Sequence, residues 1–115
     1  MATTARTAEN FSLDQGADFS RTLTVTTDGS TAFDISGRTL TGQMRKSFAS
    51  DNSSATFTTS IVSGSDGTYK IQLDNDTTTS LDDGRYVYDI EILLADSTVE
   101  KVHYGIITVN PQATK

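Results

Sequence analysis

The chain has 115 residues, a formal net charge of −6 and 35% hydrophobic residues. That length fits one domain with one core, and the low apolar content leaves little for a second core or a deep ligand cavity. The acidity argues against binding to phosphate backbones, and no apolar run approaches the roughly 20 residues needed to cross a bilayer.

Met1 to Asn10 is polar and lacks the apolar centre of a secretory signal. It reads as a flexible arm over 1–9 that can be removed without loss of folding. The expectation is therefore a chain neither exported by a signal of its own nor held in a membrane. The first clear strand follows, from Asp18 to Thr26. Phe19, Leu23 and Val25 share one face, with Arg21 interrupting it, and Ser20, Thr22 and Thr24 take the other. Asp28-Gly29 marks a turn. Phe33-Asp34-Ile35 is a short extended piece ended by Ser36-Gly37. A strand over Thr39 to Arg45 places Leu40, Gly42 and Met44 on one side. The polar loop Ser47 to Ser54 carries one apolar residue, Phe48. Phe57 and Ile61 alternate in the next strand, and Tyr69, Ile71 and Leu73 in the one after.

Asp74 to Ser80 fits a single helical turn capped by Asp76 or Thr77. In Leu81-Asp82-Asp83-Gly84-Arg85-Tyr86-Val87-Tyr88-Asp89-Ile90, Tyr86, Tyr88 and Ile90 share a face with Ile92. A leucine, a glycine-bearing turn and a tyrosine opening a strand form the pattern of a tyrosine corner, so Leu81, Gly84 and Tyr86 are assigned a structural role. The last strand, Val99 to Val109, contains Gly105, which marks a bulge or bend. About seven strands at intervals of roughly 8–12 residues predict an all-β, immunoglobulin-like antiparallel β-sandwich. The sandwich is expected over 10–111, with a short tail over 112–115.

Catalytic and metal chemistry find little purchase. There is no cysteine, which removes disulfides and thiolate metal sites and is in keeping with assembly in a reducing cytoplasm. The single histidine, His103, falls in a predicted strand on the face of Val99 and Lys101, opposite Val102 and Tyr104. It has no nucleophile-elbow serine to serve. Asp74, Asp76, Asp82 and Asp83 are the weak candidates for a metal site. An EF-hand loop starting at Asp74 fails, because Thr79 stands where glycine is needed and Arg85 where the bidentate glutamate is needed. No cofactor, no catalytic residue and no enzyme activity is expected.

Three stretches carry a resemblance. They are Phe11-Ser12-Leu13-Asp14-Gln15-Gly16-Ala17-Asp18-Phe19; Asp34-Ile35-Ser36-Gly37-Arg38-Thr39; and Leu81-x-x-Gly84-x-Tyr86-x-Tyr88-Asp89-Ile90 with the closing Gly105-Ile106-Ile107-Thr108-Val109-Asn110-Pro111. In these the chain resembles a family of small immunoglobulin-like virion proteins of tailed bacteriophages, and its start is similar to the N-terminal domain of baseplate proteins that carry receptor-binding proteins. The resemblance implies a non-catalytic virion structural protein of the tail, baseplate or neck, assembled in the host cytoplasm. Its partners would be other virion proteins and further copies of itself, with no nucleic acid and no membrane. A capsid decoration protein of the same fold and a carbohydrate-binding or adhesion module are the alternatives. Candidate interface residues are Phe48 in its loop, and Ile106, Ile107 and Val109 on a final strand read as a possible sheet edge.

Overall fold

The computed structural model describes residues 6–27, 31–47 and 54–111. In chain order these form β1 (Thr7–Ala8), β2 (Phe11–Asp14), β3 (Phe19–Thr24), β4 (Thr39–Arg45), β5 (Ala55–Thr56), β6 (Thr58–Ser63), β7 (Thr68–Leu73), α1 (Asn75–Ser80), β8 (Gly84–Leu93) and β9 (Val99–Asn110). The larger sheet runs β1-β9-β8-β4-β5, with β2 also on β9; the smaller runs β3-β7-β6. The two pack face to face as an immunoglobulin-like sandwich.

Alternation along the strands fills the core. Phe19 and Leu23 from β3, Tyr69, Ile71 and Leu73 from β7, and Tyr86, Tyr88, Ile90 and Ile92 from β8 are all buried. Phe11, Phe19, Phe57 and Tyr88 form a connected set of rings, with centroids 5.6–6.3 Å apart. Such offset and edge contacts add to the burial of aromatic area. Arg21, the interruption in the β3 pattern, remains exposed and lays its guanidinium over the Phe19 ring at 4.8 Å.

Among the described residues nine strands appear instead of about seven, because two extended segments are each interrupted. The first is the N-terminal segment. Thr7 lies opposite His103 and Phe11 opposite Ile107, one continuous parallel register broken only at Glu9 and Asn10. There the Asn10 side-chain Oδ1 accepts from the Ile106 N–H at 3.0 Å, and the Glu9 carbonyl accepts the buried Tyr88 hydroxyl at 2.7 Å. The second interruption is at Phe57. The chain leaves β4 after β5, inserts Phe57 into the core and enters the other sheet as β6.

Four expectations need correction. The sandwich is not wholly antiparallel, since β1 and β2 run parallel to β9. For the same reason 1–9 is not all a free arm: Thr7–Ala8 belong to the sheet, and the Glu9 N–H donates to the Tyr104 carbonyl at 2.9 Å. Asp74, not Asp76 or Thr77, caps α1, accepting the Thr77 N–H at 2.9 Å. Finally, the irregularity in β9 is not at Gly105. The register with β8 shifts between Ile90↔His103 and Glu91↔Lys101, leaving Val102 as the extra residue. A bulge turns the following residues to the other face, so Val102 and His103 are both buried and His103 is not on the face of Lys101. Gly105 instead permits a close approach: an added Cβ would lie 2.1 Å from the Glu9 carbonyl oxygen.

Candidate protein-interaction surfaces

The tyrosine of the third stretch closes a corner. The Tyr86 hydroxyl donates to the Asp82 carbonyl at 2.7 Å, with Leu81 buried beside it. Gly84 adopts φ +131°, which side-chain-bearing residues rarely take. Asp82 thus contributes its backbone to the corner, while Asp74 caps the helix. Hydrogen bonds from the Thr77 side chain and backbone hold the Asp74 carboxyl below its ordinary range. Asp76 and Asp83 are exposed. Among the described residues no three His, Cys, Asp or Glu side chains converge as a metal site.

His103 is part of a polar clamp across the core. Its Nδ1 lies 2.6 Å from the Tyr69 hydroxyl, and its ring also hydrogen-bonds the Thr24 backbone. One side chain of the larger sheet therefore ties β7 and β3 of the smaller one. The geometry fits a neutral imidazole whose Nδ1 accepts the Tyr69 proton. Burial pushes the His103 pKa down to about 4, and burial likewise pushes the Tyr69 phenol up. Nothing in the sequence signalled this pairing, because it depends on the bulge at Val102.

The final strand is no edge. β8 covers one side of β9, and β1 and β2 cover much of the other. Ile107 and Val109 are core residues, 0% and 2% exposed, and are not interface candidates. Ile106 points outward, half-buried and opposite Val87. Phe48 lies outside the described residues.

The two outer faces of the sandwich differ in chemistry. On the smaller sheet, Ser20-Gln72-Thr58 forms a cross-strand row of hydroxyls and an amide, and Thr22-Lys70-Ser60 a row of hydroxyls around one ammonium group. On the larger sheet, the row Arg45-Val87-Ile106 lies beside Gln43-Asp89-Tyr104. Lys101 pairs with Asp89 at 3.4 Å, and Arg6 sits 5.6 Å from the Tyr104 ring centroid. Apolar side chains framed by charges of both signs are the composition of a protein-binding patch. The remaining open edges differ as well. Arg21 screens β3 and β2, with Nη2 3.4 Å from the Ser12 carbonyl. The outward carbonyls of β4 are taken in turn: Met44 by the Ser54 N–H, Gly42 by the Phe57 N–H and Leu40 by the Thr59 hydroxyl. β6 has β7 as its one partner strand among the described residues.

No protein-family model matches the sequence, and no curated protein does. Among solved structures, the chain is similar to an internalin-like protein of Listeria monocytogenes at 14% identity and a TM-score of 0.49. The match covers 91% of this chain and 28% of that one, so the chain spans little more than a quarter of that protein's length.

Proposed function

We propose that this domain is a non-catalytic structural component of a tailed-phage virion, of tail, baseplate or neck type, which works by holding other protein surfaces. The observation that carries the reading is that the stretches bearing the resemblance meet in space. Gln15 of the first stretch donates through Nε2 to the Leu81 carbonyl at 2.7 Å, and its backbone N–H donates to the Asn110 carbonyl at 3.0 Å. Asn110 in turn donates to Asp14 Oδ1 at 3.0 Å, and Asp18 Oδ1 accepts the Asn75 N–H at 2.8 Å. The first and third stretches and the closing one thus form one lock at one end of the sandwich. This is the behaviour of a shared structural frame, and it supports the likeness as more than recurring turn sequences.

In this reading the frame sets the fold, and the outer face of the larger sheet binds the neighbour through Val87, Tyr104 and Ile106. The test is incorporation. Val87→Glu with Ile106→Glu should leave the circular dichroism spectrum unchanged and remove the protein from particles of the phage whose genome encodes it. Normal incorporation of that folded double variant would overturn the assignment of the face.

A further inference from the structure

We infer that the open side of the sandwich, between β4 and β6, is a groove for an extended segment of a partner protein, and that Arg38 anchors a carboxylate of that segment. The groove is a second site, apart from the outer face of the larger sheet, and it does not rest on a place in the virion.

The topology leaves this side uncovered. β5 lies along β4 only at Gln43 and Met44, and the Phe57 N–H reaches the Gly42 carbonyl. From Thr39 to Thr41, β4 therefore has β8 as its one partner strand among the described residues. β6 passes this stretch in the other sheet and touches it through the Thr59 hydroxyl, which donates to the Leu40 carbonyl at 2.7 Å. Beside that bridge lies a cleft of about 320 Å³, lined by Arg38, Thr39, Leu40, Thr59, Ser60 and Ile61. Its apolar part comes from residues that point between the sheets. Leu40 is buried, and Ile61 stands opposite the buried Tyr69 yet is 38% exposed, because its strand borders the gap. Past the rim, Thr39 stands opposite Leu93 and Leu93 opposite Val99, both exposed, so apolar surface continues onto the outer side.

Charge selects the occupant. Arg38 is half-buried in the wall of the cleft, and among the described residues its guanidinium makes neither a hydrogen bond nor an ion pair. Asp34 is close enough to feel that charge, but its carboxylate bonds the Ser36 side chain and accepts the Ser36 N–H at 2.9 Å. A guanidinium presents a planar fork of donors that matches a carboxylate, so the complement of this wall is an acid from outside the domain. The aliphatic rim calls for apolar side chains beside that acid. This favours a protein segment over a nucleic acid, whose phosphates need a row of cations. A free small acid would keep most of its surface in water in so open a cleft, whereas small-molecule sites bury most of their ligand. An extended segment suits the backbone as well. The Leu40 N–H lies on the same side of β4 as its carbonyl and faces the cleft as a donor, and an uncovered strand offers such groups to an added strand. The hydroxyls of Thr39 and Ser60, without partners among the described residues, supply further polar contacts.

The test is a titration of the isotope-labelled chain, followed by nuclear magnetic resonance, with three mixtures of short peptides of varied flanking sequence. One has a central aspartate and both ends blocked, one a central asparagine and both ends blocked, and one a central asparagine and a free C-terminal carboxylate. A carboxylate-bearing mixture should shift the amide signals of Thr39, Leu40, Thr59 and Ile61 and the Nε–H of Arg38. It should bind about tenfold more tightly than the blocked asparagine mixture, and which of the two does so tells a side-chain carboxylate from a chain end. Arg38→Gln should remove that preference, while Arg85→Gln, which deletes an exposed guanidinium on the larger sheet, should leave it unchanged. Ser60→Glu sets a like charge at the exposed rim and should abolish the preference with Arg38 intact, so the test does not depend on one variant's folding. Equal binding of all three mixtures overturns the inference. So do folded Arg38→Gln and Ser60→Glu variants that bind as the parent does, or the absence of any shift at the groove with peptide in the millimolar range. Shifts confined to Val87, Tyr104 and Ile106 would assign acid recognition to the larger sheet and overturn it as well. None of these results bears on whether the protein is present in virions, so the two readings fail separately.

Discussion

Acidification should weaken this fold through one side chain, His103. The imidazole is 2% exposed and is held neutral, with a pKa of about 4 against 6.5 for the unperturbed group. The unfolded chain takes up a proton near pH 6.5, while the folded chain does so only near pH 4. Between those values the unfolded state binds more protons, so stability falls as pH falls. The contribution is fully present above about pH 6.5 and is lost by about pH 4. At about 1.4 kcal/mol per unit, the 2.5-unit gap corresponds to about 3 kcal/mol. That is a large part of the 5–15 kcal/mol typical of a domain. The comparison protein is His103→Gln, whose amide can accept from Tyr69 and donate to the Thr24 carbonyl but does not titrate. Urea unfolding followed by circular dichroism from pH 7 to pH 4 should show the parent losing about 3 kcal/mol more than the variant. Asp34, Asp74 and Asp96 are also held low, each by the side chain and backbone two or three residues on. Their contributions are lost below the His103 window and are common to both proteins, so the difference isolates His103. Parallel pH profiles would refute a neutral buried imidazole.

Three further outcomes follow from the same packing. Tyr86→Phe removes the bond to the Asp82 carbonyl and should cost about 1 kcal/mol in thermal or urea unfolding. Gly105→Ala pushes a methyl group into the Glu9 carbonyl and should expose the segment before β2 to proteolysis while leaving β3 to β8 protected from hydrogen exchange. Deleting residues 1–9 strands the Tyr88 hydroxyl without its acceptor and should cost about 1–3 kcal/mol, where a wholly free arm would cost nothing.

The strands with period-two patterning were legible because burial on one face leaves a direct trace in sequence. Phe19 and Leu23, the Tyr69 to Leu73 set and the Tyr86 to Ile92 set all reached the core that way. So did the corner, since Leu81, Gly84 and Tyr86 have fixed spacing. What stayed hidden depends on contacts far apart in the chain. A two-residue strand such as Thr7–Ala8 is too short for any pattern, yet its pairing turns β9 from an edge into an interior strand and commits Ile107 and Val109 to the core. One extra residue at Val102 inverts the face of His103, and no local signal marks it. Ile61 reads in the sequence as alternating with Phe57 in one strand, and its neighbour Val62 carries no signal of its own. The change of sheet at Phe57, which a single sequence does not show, is what carries them to an open edge.

The most direct test of the assembly reading is mass spectrometry of gradient-purified tailed-phage particles induced from the organism that carries the coding sequence, with copy number measured against the major capsid protein. The reading predicts its peptides in the particle at a few to some dozens of copies. Absence from intact particles would contradict it, and hundreds of copies would contradict a place in the tail, baseplate or neck.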